Sequence, residues 1–259
     1  MDLGLKGKRA LVTGSTAGIG FAIAKQLAKE GAHVFVNGRT QQRVDNAIRE
    51  IGNNAEAVAA DLGTEAGYNT LFAKVKDLDI VVNNLGIFDA KPFMEIPDDE
   101  WRRFFEVNVL SGARLARLVL PAMRKANWGR IIFISSESGV HIPAEMVHYG
   151  MTKAAQIAVA RGIAETLAGT GITVNSVLPG PTKSRGVGDF VESLAKEQGK
   201  SPEQFETEFF AHVRPTSLIK RFATTQEVAS MVAYVASPLA SATTGAALRV
   251  DGGAVKSAF

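Results

Sequence analysis

The sequence sets a phenol and an ammonium four residues apart, in Tyr149-Gly150-Met151-Thr152-Lys153. Where such a stretch opens a helix, side chains at i and i+4 share one face. A cation held there favours the phenolate and draws the phenol down from its usual pKa of about 10 towards neutrality, which a group exchanging protons near pH 7 requires. Tyr and Lys also fall at this spacing by chance, as a solvated Lys beside a half-buried Tyr. The meaning of the pair depends on what else the chain carries.

Near the N-terminus, Arg9-Ala10-Leu11-Val12 reads as a short buried strand, followed by Thr13-Gly14-Ser15-Thr16-Ala17-Gly18-Ile19-Gly20 and an apolar-periodic run from Phe21 to Glu30 closed by Gly31. Strand, glycine turn and helix in that order form a phosphate cradle. The glycines allow close approach of backbone to ligand, and the free N–H groups and positive dipole end of the helix attract an anion. His33-Val34-Phe35-Val36-Asn37 reads as the second strand. About twenty residues after the glycines, an NAD site would place an acid on the ribose 2′-hydroxyl. The chain instead reads Asn37-Gly38-Arg39-Thr40. With no carboxylate to repel a 2′-phosphate, Gly38 leaving room and the Arg39 guanidinium beside it, NADP(H) is expected ahead of NAD(H). The plain alternative for Arg39 is a solvated loop charge.

Together these motifs resemble the short-chain dehydrogenase/reductase family nearly end to end, with the 3-oxoacyl-carrier-protein reductases as the nearest well-known members by motif. The resemblance implies that Gly14, Ser15, Thr16, Gly18, Ile19 and Gly20 line the cofactor, and that Asp61 and Leu62 meet its adenine. Asn83-Asn84-Leu85-Gly86 matches the Asn-Asn-Ala-Gly after the fourth strand, contributing Asn83 and Gly86. Asn108 stands where the family keeps a catalytic Asn. Ile131 to Ser136 reads as the fifth strand ending in the catalytic Ser; Ser135 competes, but Ser136, thirteen residues before Tyr149, has the family's spacing. Pro179 and Gly180 follow the sixth strand, then Thr182 and Ser184 near the nicotinamide. Tyr149 and Lys153 are then both catalytic and cofactor-binding, with Tyr149 as acid or base, Ser136 as oxyanion donor, Lys153 on the ribose and Asn108 placing a water. The implied reaction is hydride transfer between NADP(H) and a carbonyl or secondary alcohol. Two departures stand out. Leu85 replaces the usual Ala and would add bulk near the ribose, and Thr182 and Ser184 hold positions where the family has Ile and Thr.

Behind these residues must stand a scaffold. At 259 residues and 46% hydrophobic content, the chain can bury one large core. Strand patterns near Arg9, His33, Glu56, Asp79, Arg130, Ile172 and Ala246 alternate with helical stretches, which argues a parallel sheet covered on both faces. A single doubly wound α/β Rossmann domain with a seven-stranded parallel sheet is expected over residues 1–259, with a substrate lid at about 183–221. No cysteine is present, which rules out disulfide and thiolate chemistry. The absence of an apolar leader or an 18-residue apolar run makes a cytoplasmic protein the expectation. Net charge is +3 in mixed-sign runs, without the basic block that nucleic-acid binding would need.

The four histidines show no ligand spacing, and no metal is expected. His148 reads as a wall of the substrate cleft or a surface residue. Glu137, beside Ser136, either meets a substrate hydroxyl or cation, or faces solvent. In the lid, Phe190, Phe205, Phe209 and Phe210 are interleaved with Lys183, Arg185, His212 and Arg214. They form either an apolar wall with a cationic end for an acidic or acyl substrate, or a helix packing its Phe face inward, with Ser201 before it and Pro202 at its first position. Small residues at Ala154, Ala155, Ala158, Gly162 and Ala168 fit a helix packed against another subunit, and the family suggests a homotetramer. A rival reading is a non-catalytic nucleotide-binding sensor or scaffold of the same fold. A second is an epimerase or dehydratase, whose usual C-terminal substrate domain is absent.

Overall fold

A computed structural model describes residues 1–184 and 200–258. The first strand, β1 (Arg9–Val12), pairs with β2 (His33–Gly38) on one side and β4 (Ile80–Asn83) on the other. Beyond them lie β3 (Ala55–Ala59), β5 (Gly129–Ile134), β6 (Ile172–Pro179) and, with β7 (Thr182–Lys183) and β8 (Ala223–Thr224) set apart in a separate pair, β9 (Ala247–Val250). The order is β3-β2-β1-β4-β5-β6-β9, all parallel, so each of the seven predicted strands is present in one sheet. The winding direction reverses between β1 and β4. In open parallel sheets a ligand crevice opens at the strand C-termini at that point.

Successive strand residues point to opposite faces, and the core divides accordingly. Ala10, Val12, Val34, Val36, Ile80, Val82, Ile132 and Ile134 bury against α1 (Gly18–Lys29) and α8 (Thr225–Ala236). Leu11, Phe35, Val81, Ile131 and Phe133 face the other way, towards α3 (Glu65–Lys74), α5 (Ser111–Ala126) and α6 (Val147–Glu165). Because both faces are covered, the strands read as continuous apolar runs rather than alternating ones. The remaining helices are α2 (Gln41–Ile51), α4 (Asp98–Phe105) and α7 (Pro202–Glu208). A π-helical turn, Glu106–Leu110, joins α4 to α5.

The segment expected to serve as a substrate lid is bounded by β7 and β8, which pair with each other. Its helix α7 starts as predicted: Ser201 accepts from Gln204 N at 3.2 Å, Gln204 returns a bond to Ser201 N at 2.9 Å, and Pro202 follows the cap. Phe210 and Phe222 are buried, with Phe205 and Phe209 packed on them, so these phenylalanines pair with one another rather than lining an open wall. Arg185 and Phe190 lie outside the described residues. Among the described residues no helix is long and apolar enough to cross a membrane.

Candidate active site

At the β1 end of the crevice, Gly14 and Gly18 take left-handed backbone with φ of 58° and 60°. A Cβ on Gly20 would lie 2.6 Å from Gly14 O and closer still to Asn84 Nδ2, so only glycine fits that turn. Ala17 precedes α1 without any side-chain cap, which leaves the first N–H groups of the helix to a ligand. Ile19 sits in that first turn. A dinucleotide diphosphate therefore fits the residues present. Thr16, with Gly18, Arg43, Lys183 and Ser184, borders a cavity of about 320 Å³ beside the turn.

Ser15 behaves differently from its neighbours. It is fully buried, donates to Val12 O at 2.6 Å and accepts from Asn37 N at 2.9 Å, so it clips β1 to β2 instead of facing a phosphate. Asn37 Oδ1 accepts from Gly14 N at 3.3 Å, while its Nδ2 donates to Val58 O and Ala60 O. Arg39 is exposed and has no partner among the described residues. Gly38 is tighter than expected: a Cβ there would collide with the Thr16 methyl and approach Val44 Cγ1 to 3.1 Å. Asp61 is exposed, with Oδ1 accepting from Gly63 N, and Leu62 beside it is buried.

Two residues that hold this loop were not singled out by sequence reasoning. Thr13 Oγ1 accepts from Asn84 N at 2.9 Å and Leu85 N at 2.8 Å, and Asn84 Nδ2 donates to Thr13 O and Gly14 O. A hydroxyl at a strand end facing an Asn pair at the next strand end was the available signal. Asn83, by contrast, is buried with its Nδ2 unpartnered. Leu85 is partly buried and packs on the core beside Leu62 and Leu115. Gly86 keeps the approach to Lys153 open, since a Cβ there would be 3.5 Å from Nζ.

Beyond β5 the catalytic candidates converge. Ser135 spends its hydroxyl on Lys153 O at 2.8 Å, whereas Ser136 lies within hydrogen-bonding reach of the Tyr149 phenol, which favours Ser136 of the two. Gly139 packs so closely on the Lys153 main chain that a Cβ would lie 2.8 Å from its carbonyl carbon. Lys153 is buried; its Nζ lies 5.5 Å from the Tyr149 ring centroid and donates to Ile134 O at 2.9 Å and Gln156 Oε1 at 3.1 Å. Gln156 Nε2 in turn donates to Asn108 O at 2.6 Å. Asn108 is fully buried, its Oδ1 accepting from Ile87 N and its Nδ2 donating to Ile87 O and Thr152 Oγ1.

Burial sets the electrostatics of this cluster. It pushes the Tyr149 phenol above its ordinary range; the Ser136 hydroxyl opposes that rise and the Glu137 charge adds to it. The expectation that Lys153 draws the phenol towards neutrality is therefore not met in this state, because the ammonium is held by a carbonyl and an amide instead. Burial also brings the Lys153 ammonium down to about 8. His148 is neither a cleft wall nor a surface residue. It is fully buried, with both ring nitrogens unpartnered, its ring 4.1 Å from that of Phe104 and 6.0 Å from that of Trp101, and burial lowers its pKa. Glu137 is also buried rather than solvated, as is Thr182.

At the β6 end, Gly180 must be glycine because a Cβ would lie 2.7 Å from Asp251 O. Pro179 closes β6, and Thr182 Oγ1 donates to Gly180 O at 2.8 Å. Ser184 N donates to Thr182 O, placing Ser184 beside Gly18 of the glycine turn. Arg214 is not a free cationic end for an acidic substrate, since it faces Glu137 and Glu145.

Comparison with known proteins agrees with this geometry. The profile of a family described as Enoyl-(Acyl carrier protein) reductase matches residues 14–255. The chain is 49% identical to the uncharacterized oxidoreductase YvaG of Bacillus subtilis over the full length of both. It is 34% identical to the 3-oxoacyl-[acyl-carrier-protein] reductase FabG of Aquifex aeolicus, covering 98% of this chain and 99% of that one. Among solved structures, L-sorbose reductase from Gluconobacter frateurii, complexed with NADPH and L-sorbose, superposes with a TM-score of 0.93 at 32% identity, covering 99% of this chain and all of that one. The chain thus belongs to the short-chain dehydrogenase/reductase family, whose NAD(P)-dependent oxidoreductases move hydride to and from a carbonyl carbon.

Proposed function

We propose that the chain reduces a ketone, or oxidises the matching secondary alcohol, with NADP(H), and that Tyr149 exchanges the proton. The carrying observation is that Ser136, Tyr149, Lys153 and Asn108 gather beyond β4 and β5, across the crevice from an uncapped glycine turn. The backbone of Gly14, Thr16, Gly18, Ile19 and Gly20 holds the diphosphate, with Ser15 supporting the turn from beneath. Arg39 meets the 2′-phosphate, Asp61 and Leu62 border the adenine, and Asn83 and Gly86 flank the ribose. Pro179, Gly180, Thr182 and Ser184 form the nicotinamide end; the Thr182 hydroxyl is already bonded to Gly180 O, so that contact falls to its backbone. NADPH is also the coenzyme bound to L-sorbose reductase and to a variant of actinorhodin polyketide ketoreductase, whereas a Brucella melitensis reductase binds NADH.

When bound, the nicotinamide supplies or takes up the hydride. The chain does the rest. Tyr149 donates its phenolic proton to the carbonyl oxygen in reduction, and the high phenol pKa keeps that proton in place at pH 7. Ser136 turns its hydroxyl onto the same oxygen and stabilises its developing charge. Lys153 exchanges Gln156 for the ribose hydroxyls and brings its charge nearer the phenol. Asn108 fixes Gln156, and through it the resting place of Lys153.

A panel of ketones and alcohols assayed with NADPH and NADH at the nicotinamide absorbance tests this. Ketone-dependent NADPH consumption is expected. Tight NADPH binding without turnover of any carbonyl would return the protein to the sensor reading. The reading extends to a cytoplasmic homotetramer: Ala158 and Gly162 leave a face of α6 exposed with room above Gly162, suited to another subunit. Light scattering that reports a monomer at micromolar concentration removes the tetramer.

A further inference from the structure

Ser136 has one hydroxyl hydrogen, and it points at Glu137: Oγ donates to Oε2 at 2.6 Å. That carboxylate is 6% exposed. Its Oε2 also accepts from Ser138 N at 2.9 Å and Ser138 Oγ at 3.2 Å. Its Oε1 faces Arg214 Nε at 3.6 Å, beyond hydrogen-bond length. To polarise a carbonyl, Ser136 must swing its hydrogen onto the substrate, so a buried carboxylate loses a donor at the moment the substrate docks. Leaving a buried charged acceptor short of a donor is unfavourable unless another takes its place. A plain ketone brings none. A hydroxyl on the carbon beside the carbonyl does, because it neighbours the carbonyl oxygen in the substrate as Glu137 neighbours Ser136 in the site.

We propose that Glu137 determines specificity by accepting a hydrogen bond from a hydroxyl next to the reacting carbonyl, which makes α-hydroxy ketones the preferred substrate class. The inference deepens the functional reading above and rests on its assignment of Ser136 and Tyr149. Local charge excludes an anion. Arg214 places Nε near Glu137 and Nη1 3.5 Å from Glu145, so one guanidinium serves two carboxylates and the group as a whole is negative.

The test compares hydroxyacetone with butanone, which lacks the hydroxyl, and methoxyacetone, which keeps the oxygen but not the donor. In the wild type with NADPH, kcat/KM for hydroxyacetone should exceed both by about ten- to a hundredfold. In Glu137→Leu that ratio should collapse towards unity, and Glu137→Gln should restore part of it; a ratio taken within one variant is indifferent to overall loss of activity. The same ketones titrated calorimetrically into NADP⁺-saturated protein read the preference without turnover. No turnover with retained binding preference would sink the catalytic reading and leave this inference standing. Equal kcat/KM and equal affinity for hydroxyacetone and butanone in the wild type would overturn the inference while hydride transfer stands, as would a preference for aminoacetone.

Discussion

At the β1–β2 end of the crevice the polar side chains are spent on backbone, whereas at the β5–α6 end several are also spent on one another. Thr13, Ser15, Asn37 and Asn84 bond main-chain atoms and fix a loop shape, leaving Arg39 as an outward charge without a partner among the described residues. Around Tyr149, by contrast, Ser136 bonds Glu137, Glu137 faces Arg214, and Lys153 is tied through Gln156 to Asn108. The first region is a mould fixed by backbone bonds, with one exposed ion at its edge. The second buries several polar groups together, and burial rather than any single neighbour sets the proton affinities of Tyr149 and Lys153.

That contrast is sharpened first by its largest effect. Tyr149→Phe should lower the rate by about 10²- to 10⁴-fold while cofactor affinity stays within a few fold, because the phenol serves the substrate end. Near-native turnover in that variant would remove the central assignment. Next, Lys153 holds a proton at pH 7 that burial opposes, with a pKa of about 8 against 10.5 for an unperturbed lysine. Between those two values the unfolded chain binds more protons than the folded one, so this group makes stability rise with pH over that window. Lys153→Met removes the slope. The gap opposes folding by about 3 kcal/mol at pH 7, so the Tm advantage of the variant should shrink as pH rises. Thermal melts at intervals from pH 7 to 9.5, below the range where Tyr149 ionisation enters, read the trend; a pH-independent difference would mean that the ammonium is not penalised by burial.

The mould predicts smaller and more local effects. Arg39→Ala should shrink the preference for NADPH over NADH by about ten- to a hundredfold, the worth of one hydrogen bond to a charged group. A wild type that uses NADH at least as well as NADPH would reduce Arg39 to a surface charge, and Asn37, fully engaged with backbone, could not hold the ribose diol without releasing Gly14. Gly38→Ala should destabilise the protein by about 1–3 kcal/mol through contact with Thr16 and Val44, measurable by denaturant titration. For the same reason Gly38→Asp is a poor route to an NADH enzyme: its first carbon already lacks space.

Much of this was legible because it is local. Seven apolar runs marked seven strands, Gly14, Gly18 and Gly20 marked a turn that other residues cannot adopt, and Ser201-Pro202 marked a helix start. What escaped depends on contacts between distant segments. Nothing near Arg214 announces that it faces Glu137, and nothing near Lys153 announces that a strand-end carbonyl and Gln156 take the hydrogen bonds of its ammonium. His148 looked like a polar residue at a cleft because its sequence neighbour Tyr149 is a catalytic candidate, yet Phe104 and Trp101 close over it. A one-dimensional pattern reveals periodicity and turn chemistry; which polar groups share a buried volume is decided by the tertiary packing.

The π-helical turn at Glu106–Leu110 makes Asn108 sensitive to chain length rather than to chain chemistry. A wide turn of this kind accommodates one residue more than an α-helical path would. Deleting a single residue there would let α4 run into α5 as one regular helix, leaving the flanking side chains on their present faces and re-aiming those within the turn. Asn108 would then leave Ile87 and Thr152 without any change in its own identity. An alteration of length at this point would silence the site more thoroughly than many substitutions within it.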